Sequence, residues 1–157
     1  MKDLSDIRVR YMQDPLPMRL GGLAADLARI ASFSRNPANL APVADLMREA
    51  AHFVEWCAPE SDLESQVTLL ELQRHLARWR MRLSQRFPDQ MWRGQVIAEA
   101  QQWSQRVLEM SGLLSRSMAK GETNGKKTQP WRSSVLTGNL QTGFHQAGGD
   151  DRPVGWM

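Results

Sequence analysis

The sequence predicts an all-α protein: an antiparallel bundle of four long amphipathic helices, with a short helix before them and a flexible C-terminal tail. Three observations carry that prediction. Apolar residues recur at three- and four-residue spacing through most of residues 1–114, as they do on helices with one buried face. Breaks at Asp14-Pro15-Leu16-Pro17, Asn36-Pro37-Ala38-Asn39, Ala58-Pro59 and Phe87-Pro88-Asp89 divide that stretch, because proline cannot continue a helix. The connections they leave are short, which favours antiparallel neighbours. Residues 1–114 are therefore read as one helical domain and 115–157 as a tail.

The opening segment Met1–Asp14 spaces Leu4, Ile7 and Tyr11 as one helical face ending at the first proline break. The next helix is expected over Met18–Ser34, with Leu20, Leu23, Leu27, Ile30 and Ala31 inward and Asp26 and Arg29 off that face. Gly21-Gly22 near its start weakens it locally and suits close packing against a neighbour. A third helix spans Leu40–Cys57, with Val43, Leu46, Met47, Ala50, Phe53, Val54 and Cys57 inward.

Ser61-Asp62-Leu63-Glu64 reads as a capping box, with the serine and glutamate side chains each satisfying the other's backbone N–H. The helix it starts is expected to reach Gln85 and carries two apolar stripes. One is Leu63, Val67, Leu70, Ala77 and Met81; the other is Leu69, Leu72, Leu76, Trp79 and Leu83. So wide an apolar arc predicts a central helix packed on both flanks. The last helix, Gln90–Leu114, presents Trp92, Val96, Ala100, Trp103, Val107, Met110 and Leu114. Beyond it, glycines punctuate Ser/Thr/Gln-rich sequence with no sustained period, too little apolar surface to offset the entropy of ordering. Trp131, Val135, Leu136, Leu140, Phe144 and Trp156 stand along this tail as isolated anchors.

The 157-residue chain carries a formal charge of +3 and a pI near 9.5, which suggests a polyanion partner until the charge is divided. Residues 1–114 hold 14 basic and 14 acidic side chains, so the domain is formally neutral and the tail supplies the excess. Global steering towards nucleic acid is correspondingly weak. Cys57 is the single cysteine and can form no internal disulfide, which points to a reducing compartment, the cytoplasm. No apolar run approaches the roughly 20 residues of a membrane span, and the charged first 15 residues do not read as a secretory signal.

No catalytic, metal or cofactor constellation emerges. Glu49-x-x-His52 has the spacing of a helical metal-ligand pair, but bundles that hold two metal ions need a second such motif and further glutamates. Glu71 and His75 are four residues apart and suit a simple side-chain contact. Cys57, five residues from His52, reads as a buried structural thiol. Arg74, Arg78, Arg82 and Arg86 recur every four residues and form a slowly winding basic ridge, with Trp79 beside it as a stacking surface.

The segments Leu20-Gly21, Ala28-Arg29-Ile30-Ala31-Ser32-Phe33, Glu55-Trp56-Cys57-Ala58-Pro59-Glu60 and Trp103-Ser104 through Ser111-Gly112-Leu113-Leu114 resemble small uncharacterised helical proteins of cyanobacteria. The resemblance covers roughly residues 15–114. It implies a helical fold and brings no activity with it.

The expectation from sequence is thus a non-enzymatic protein–protein interaction or assembly module, without a cofactor. It would dock another protein or a larger assembly through its tail (Trp131, Leu136, Leu140, Phe144, Trp156) or through an exposed aromatic helix face. Self-association belongs to the same class. The alternative is nucleic-acid or anionic-partner binding through Arg74, Arg78, Arg82 and Arg86.

Overall fold

A computed structural model describes residues 3–115, and the architecture within them is all-α. Five helices follow in order: α1 (Leu4–Gln13), α2 (Leu16–Phe33), α3 (Leu40–Cys57), α4 (Leu63–Arg86) and α5 (Gln90–Met110). Short 3₁₀ turns at Pro37–Asn39 and Ala58–Glu60 lead into α3 and out of it. The bundle of four long helices with a short one before them is as expected.

The breaks act where proline chemistry places them. α1 stops at Gln13, and α2 begins two residues earlier than the spacing predicts, because Pro17 sits in its first turn. There a missing N–H costs nothing and the fixed φ suits the helix. The Asn36 side chain accepts from Ala38 N at 2.9 Å and starts the turn into α3. α5 ends at Met110 rather than Leu114, since Gly112 takes a φ of +69° directly after the Ser111 cap. Such a left-handed residue terminates a helix at little cost only when it is glycine.

The capping box is not formed. Ser61 turns back to donate its hydroxyl to the Cys57 carbonyl (2.9 Å), closing the 3₁₀ turn. Asp62 caps α4 in its place, accepting from Ser65 N at 2.9 Å and from the Ser65 hydroxyl at 2.8 Å.

The centre of the bundle is α2, not α4. It packs against both α5 and α3, while α4 lies on α3 and more lightly on α5. Ser104 donates to the Ala24 carbonyl (2.8 Å), and Leu113 sits against Gly21, so α5 runs antiparallel to α2. Leu23, Leu27 and Ile30 are wholly enclosed. The enclosure extends around the helix to Asp26, which the spacing places off the inner face, and to Arg19. Asp26 is held by Arg29 at 2.6 Å. The Gly21-Gly22 pair packs closely, as expected: a Cβ at Gly21 would lie 2.8 Å from Leu113, and one at Gly22 3.5 Å from the Tyr11 ring.

The Asp62 cap is open to a pH test. Hydrogen bonds from the Ser65 backbone and hydroxyl hold its carboxyl below the usual carboxylate range. A group whose folded pKa is depressed stabilises the fold above its unfolded value of about 3.9 and loses that contribution as pH falls through the folded pKa. Asp62→Ala should therefore lower the melting temperature at neutral pH, and the gap from the wild type should close as the pH falls below about 4. Thermal unfolding followed by circular dichroism across that range measures it.

Candidate interaction surfaces

The two apolar stripes of α4 have opposite fates. Leu69, Leu72, Leu76, Trp79 and Leu83 are buried against the bundle. Leu63, Val67, Leu70 and Met81 face outward at 77%, 53%, 61% and 81% exposure, and Ala77 is exposed between them. At 100° per residue these five positions lie within about 40° of one line along the helix, directly opposite its buried side. A shallow hollow of about 440 Å³ beside Leu63, Val67 and Leu70 extends the apolar surface to Ala58 and Pro59.

The arginine ridge divides. Arg74 lies in the apolar line, between Leu70 and Ala77. Arg78, Arg82 and Arg86 turn towards α5 and line a cleft of about 180 Å³ with His75, Gln95 and Glu99. Arg86 is paired with Asp89 at 3.1 Å. Among the described residues, no carboxylate lies within ion-pairing distance of Arg74, Arg78, Arg80 or Arg82. Trp79 offers no stacking face, because it is buried and its indole N–H donates to Glu99 at 2.9 Å. Trp92 and Trp103 are buried too, and Trp56 is partly so. Three of the four tryptophans are therefore core and Trp56 lies at its edge, whereas the exposed apolar face of α4 carries no aromatic side chain.

Among the described residues, neither His52 nor His75 gathers a metal-binding set. His52 approaches Glu55 at 3.4 Å, and His75 approaches Glu99 at 3.6 Å. Glu71 turns from His75 to meet Arg106 at 3.4 Å. Among the described residues, no group of three or more His, Cys, Asp or Glu side chains is placed to hold a metal ion. A groove of about 410 Å³ between α1, α2 and α3 has Ile7, Phe33 and Leu46 on its walls. Its arginines are already engaged, Arg29 with Asp26 and Arg48 with Asp45 at 2.8 Å. Among the described residues no helix is long and apolar enough to cross a membrane.

Sequence reasoning missed a polar junction at the end of the bundle near α1. Arg19, almost fully buried, donates to the Trp56 carbonyl (3.2 Å) and forms an ion pair with Glu60. The Tyr11 hydroxyl donates to the Arg19 carbonyl (2.6 Å) and lies 3.2 Å from the Cys57 sulfur. The Tyr11 ring stacks on Phe53 with centroids 3.9 Å apart. The signal that could have found Arg19 is its place four residues before Leu23 and eight before Leu27, which sets it at the edge of the inner face of α2. The junction ties α1, α2 and α3 together, although the buried Arg19 Nε finds no hydrogen-bond partner among the described residues.

The tail anchors Trp131, Leu136, Leu140, Phe144 and Trp156 lie outside the described residues. No family model matches the chain, and neither curated proteins nor solved structures yield a match.

Cys57 gives a direct test of the core on the α1 side. The thiol is fully enclosed, and burial pushes its pKa up, so little nucleophilic thiolate is presented to solvent. A disulfide-exchange reagent at mildly alkaline pH should leave the native protein unmodified and should titrate one thiol per chain after denaturation. Rapid native labelling would contradict the packing of Tyr11 over Cys57.

Proposed function

We propose that the protein is a non-enzymatic interaction module whose docking surface is the outer face of α4. The observation that carries this reading is the line of Leu63, Val67, Leu70 and Met81, four large aliphatic side chains exposed on one side of one helix. Single exposed apolar residues are ordinary, but Leu63, Val67 and Leu70 cluster on one face, with Met81 continuing the line beyond Arg74, and such a cluster marks an interaction site. An apolar helix face of this spacing suits a second helix, read through anchors three and four residues apart. A cytoplasmic setting fits the single unpaired thiol. The tail anchors remain part of the proposal as a second means of attachment.

Replacing Val67 and Leu70 together by arginine should abolish retention of the partner in affinity capture from the native cell. Because both side chains are exposed, the same double variant should keep its folding stability within ~0.5 kcal/mol per site. Unchanged retention would refute the assignment of this face.

A second reading is favoured by the cleft lined by Arg78, Arg82 and Arg86, whose guanidinium groups could grip phosphates bidentately. Its volume is below the roughly 300 Å³ usual for a ligand pocket, so an extended anion laid across it is the better fit. Gel-shift titration would then show affinity falling steeply with salt and lost in Arg78→Ala/Arg82→Ala. An absence of binding at low salt would remove this reading.

A further inference from the structure

We infer that the outer face of α4 pairs with the same face of a second copy of this chain, antiparallel and about a two-fold axis. The inference rests on the reading of α4 as a docking face and names its occupant. Along that face Leu63, Val67, Leu70, Arg74, Ala77 and Met81 alternate by four and three residues, the spacing of a coiled-coil seam. The seam reads the same in both directions about a midpoint at residue 72. Placed antiparallel, Leu63 lies opposite Met81 of the second copy, Val67 opposite Ala77, and Leu70 opposite Arg74. Each large side chain then meets a partner at its own level, as an isologous interface requires.

Charge fixes the direction. The acids of α4 and its cap, Asp62, Glu64 and Glu71, all precede the midpoint, whereas Arg74, Arg78, Arg80, Arg82 and Arg86 all follow it. An antiparallel pair lays the acidic half of each helix along the basic half of the other. On one flank of the seam Glu64 comes beside Arg78 and Arg82 of the second copy, and on the other flank Asp62 comes beside Arg80. Near the axis Glu71 of each chain meets its own mate, but each is already engaged by Arg106 and has Arg74 of the other copy adjacent. A parallel pair would instead stack five arginines against five and bring acid against acid. The seam therefore selects one orientation by repulsion as well as attraction. The bundle's equal numbers of basic and acidic side chains oppose no approach of two copies.

One helix pair with an alanine and an arginine in its seam makes a small interface, so the dimer should exchange rapidly and form at high rather than low micromolar concentration. Arg74 at a seam position lowers affinity while helping to set the register, a role polar seam residues have in coiled coils.

Sedimentation equilibrium of the full chain should show the mass rising with concentration from 17.8 kDa towards twice that value. Val67→Arg/Leu70→Arg should remain monomeric over the same range with an unchanged far-ultraviolet spectrum. Orientation is read by a short thiol-to-thiol crosslinker. Leu63 and Met81 stand about 27 Å apart along the helix, so Leu63→Cys chains alone and Met81→Cys chains alone should not crosslink, and their mixture should. Crosslinking of each variant to itself would mean a parallel pair and would overturn the inference. So would a mass that stays at one chain, or a dimer untouched by the double arginine variant. If the chain is monomeric but those arginines abolish retention of another protein, the pairing fails and the docking reading stands. If they alter neither, both fail.

Discussion

The enclosure of α2 determines the rest of the bundle. With α3 on one flank and α5 on another, Leu23, Leu27 and Ile30 have no exposed surface, and the burial reaches Asp26 and Arg19. At roughly 25 cal/mol per Å² of apolar surface removed from water, a fully enclosed leucine contributes about 1.5–3 kcal/mol, and α2 supplies several such side chains. Once α2 holds the centre, α4 can reach only the edges of α3 and α5. It buries the side bearing Leu69, Leu72, Leu76, Trp79 and Leu83, and among the described residues no helix covers its other side. The exposed line is thus a consequence of which helix is central.

The same constraint explains the buried polar groups. A charged side chain inside a bundle is tolerated only with partners, because desolvation of an unpaired charge costs more than the packing returns. Arg19 is met by the Trp56 carbonyl and Glu60, and Asp26 by Arg29. Through Tyr11 and Cys57 the Arg19 junction connects α1, α2 and α3, so the short first helix closes one end of the core rather than trailing from it.

Much of this was legible in residue order. α3 is found at Leu40–Cys57 as predicted, because Asn36-Pro37 and Ala58-Pro59 bracket a single unambiguous apolar face. α4 was not legible in the same way. Its two stripes have equal periodicity, and only the positions of α2, α3 and α5 decide which is buried. Periodicity gives the direction of a face but not whether another helix is available to cover it. The capping error has a local cause: Ser61 and Asp62 are both good caps, and the 3₁₀ turn at Ala58–Glu60 draws the serine hydroxyl to Cys57. Four-residue spacing likewise put four arginines on one ridge, whereas 40° of drift per step separates Arg74 from the three that face α5.

In this bundle α2 is enclosed and the Leu63–Met81 line of α4 is open. The most direct measurement compares Leu27→Ala with Leu70→Ala by urea unfolding at low protein concentration. Enclosure predicts a loss of about 2–5 kcal/mol for Leu27→Ala, as for other buried leucines. Exposure predicts a change within ~0.5 kcal/mol for Leu70→Ala. Destabilisation by Leu70→Ala as large as that by Leu27→Ala would contradict this, because α4 would then be packed on both sides.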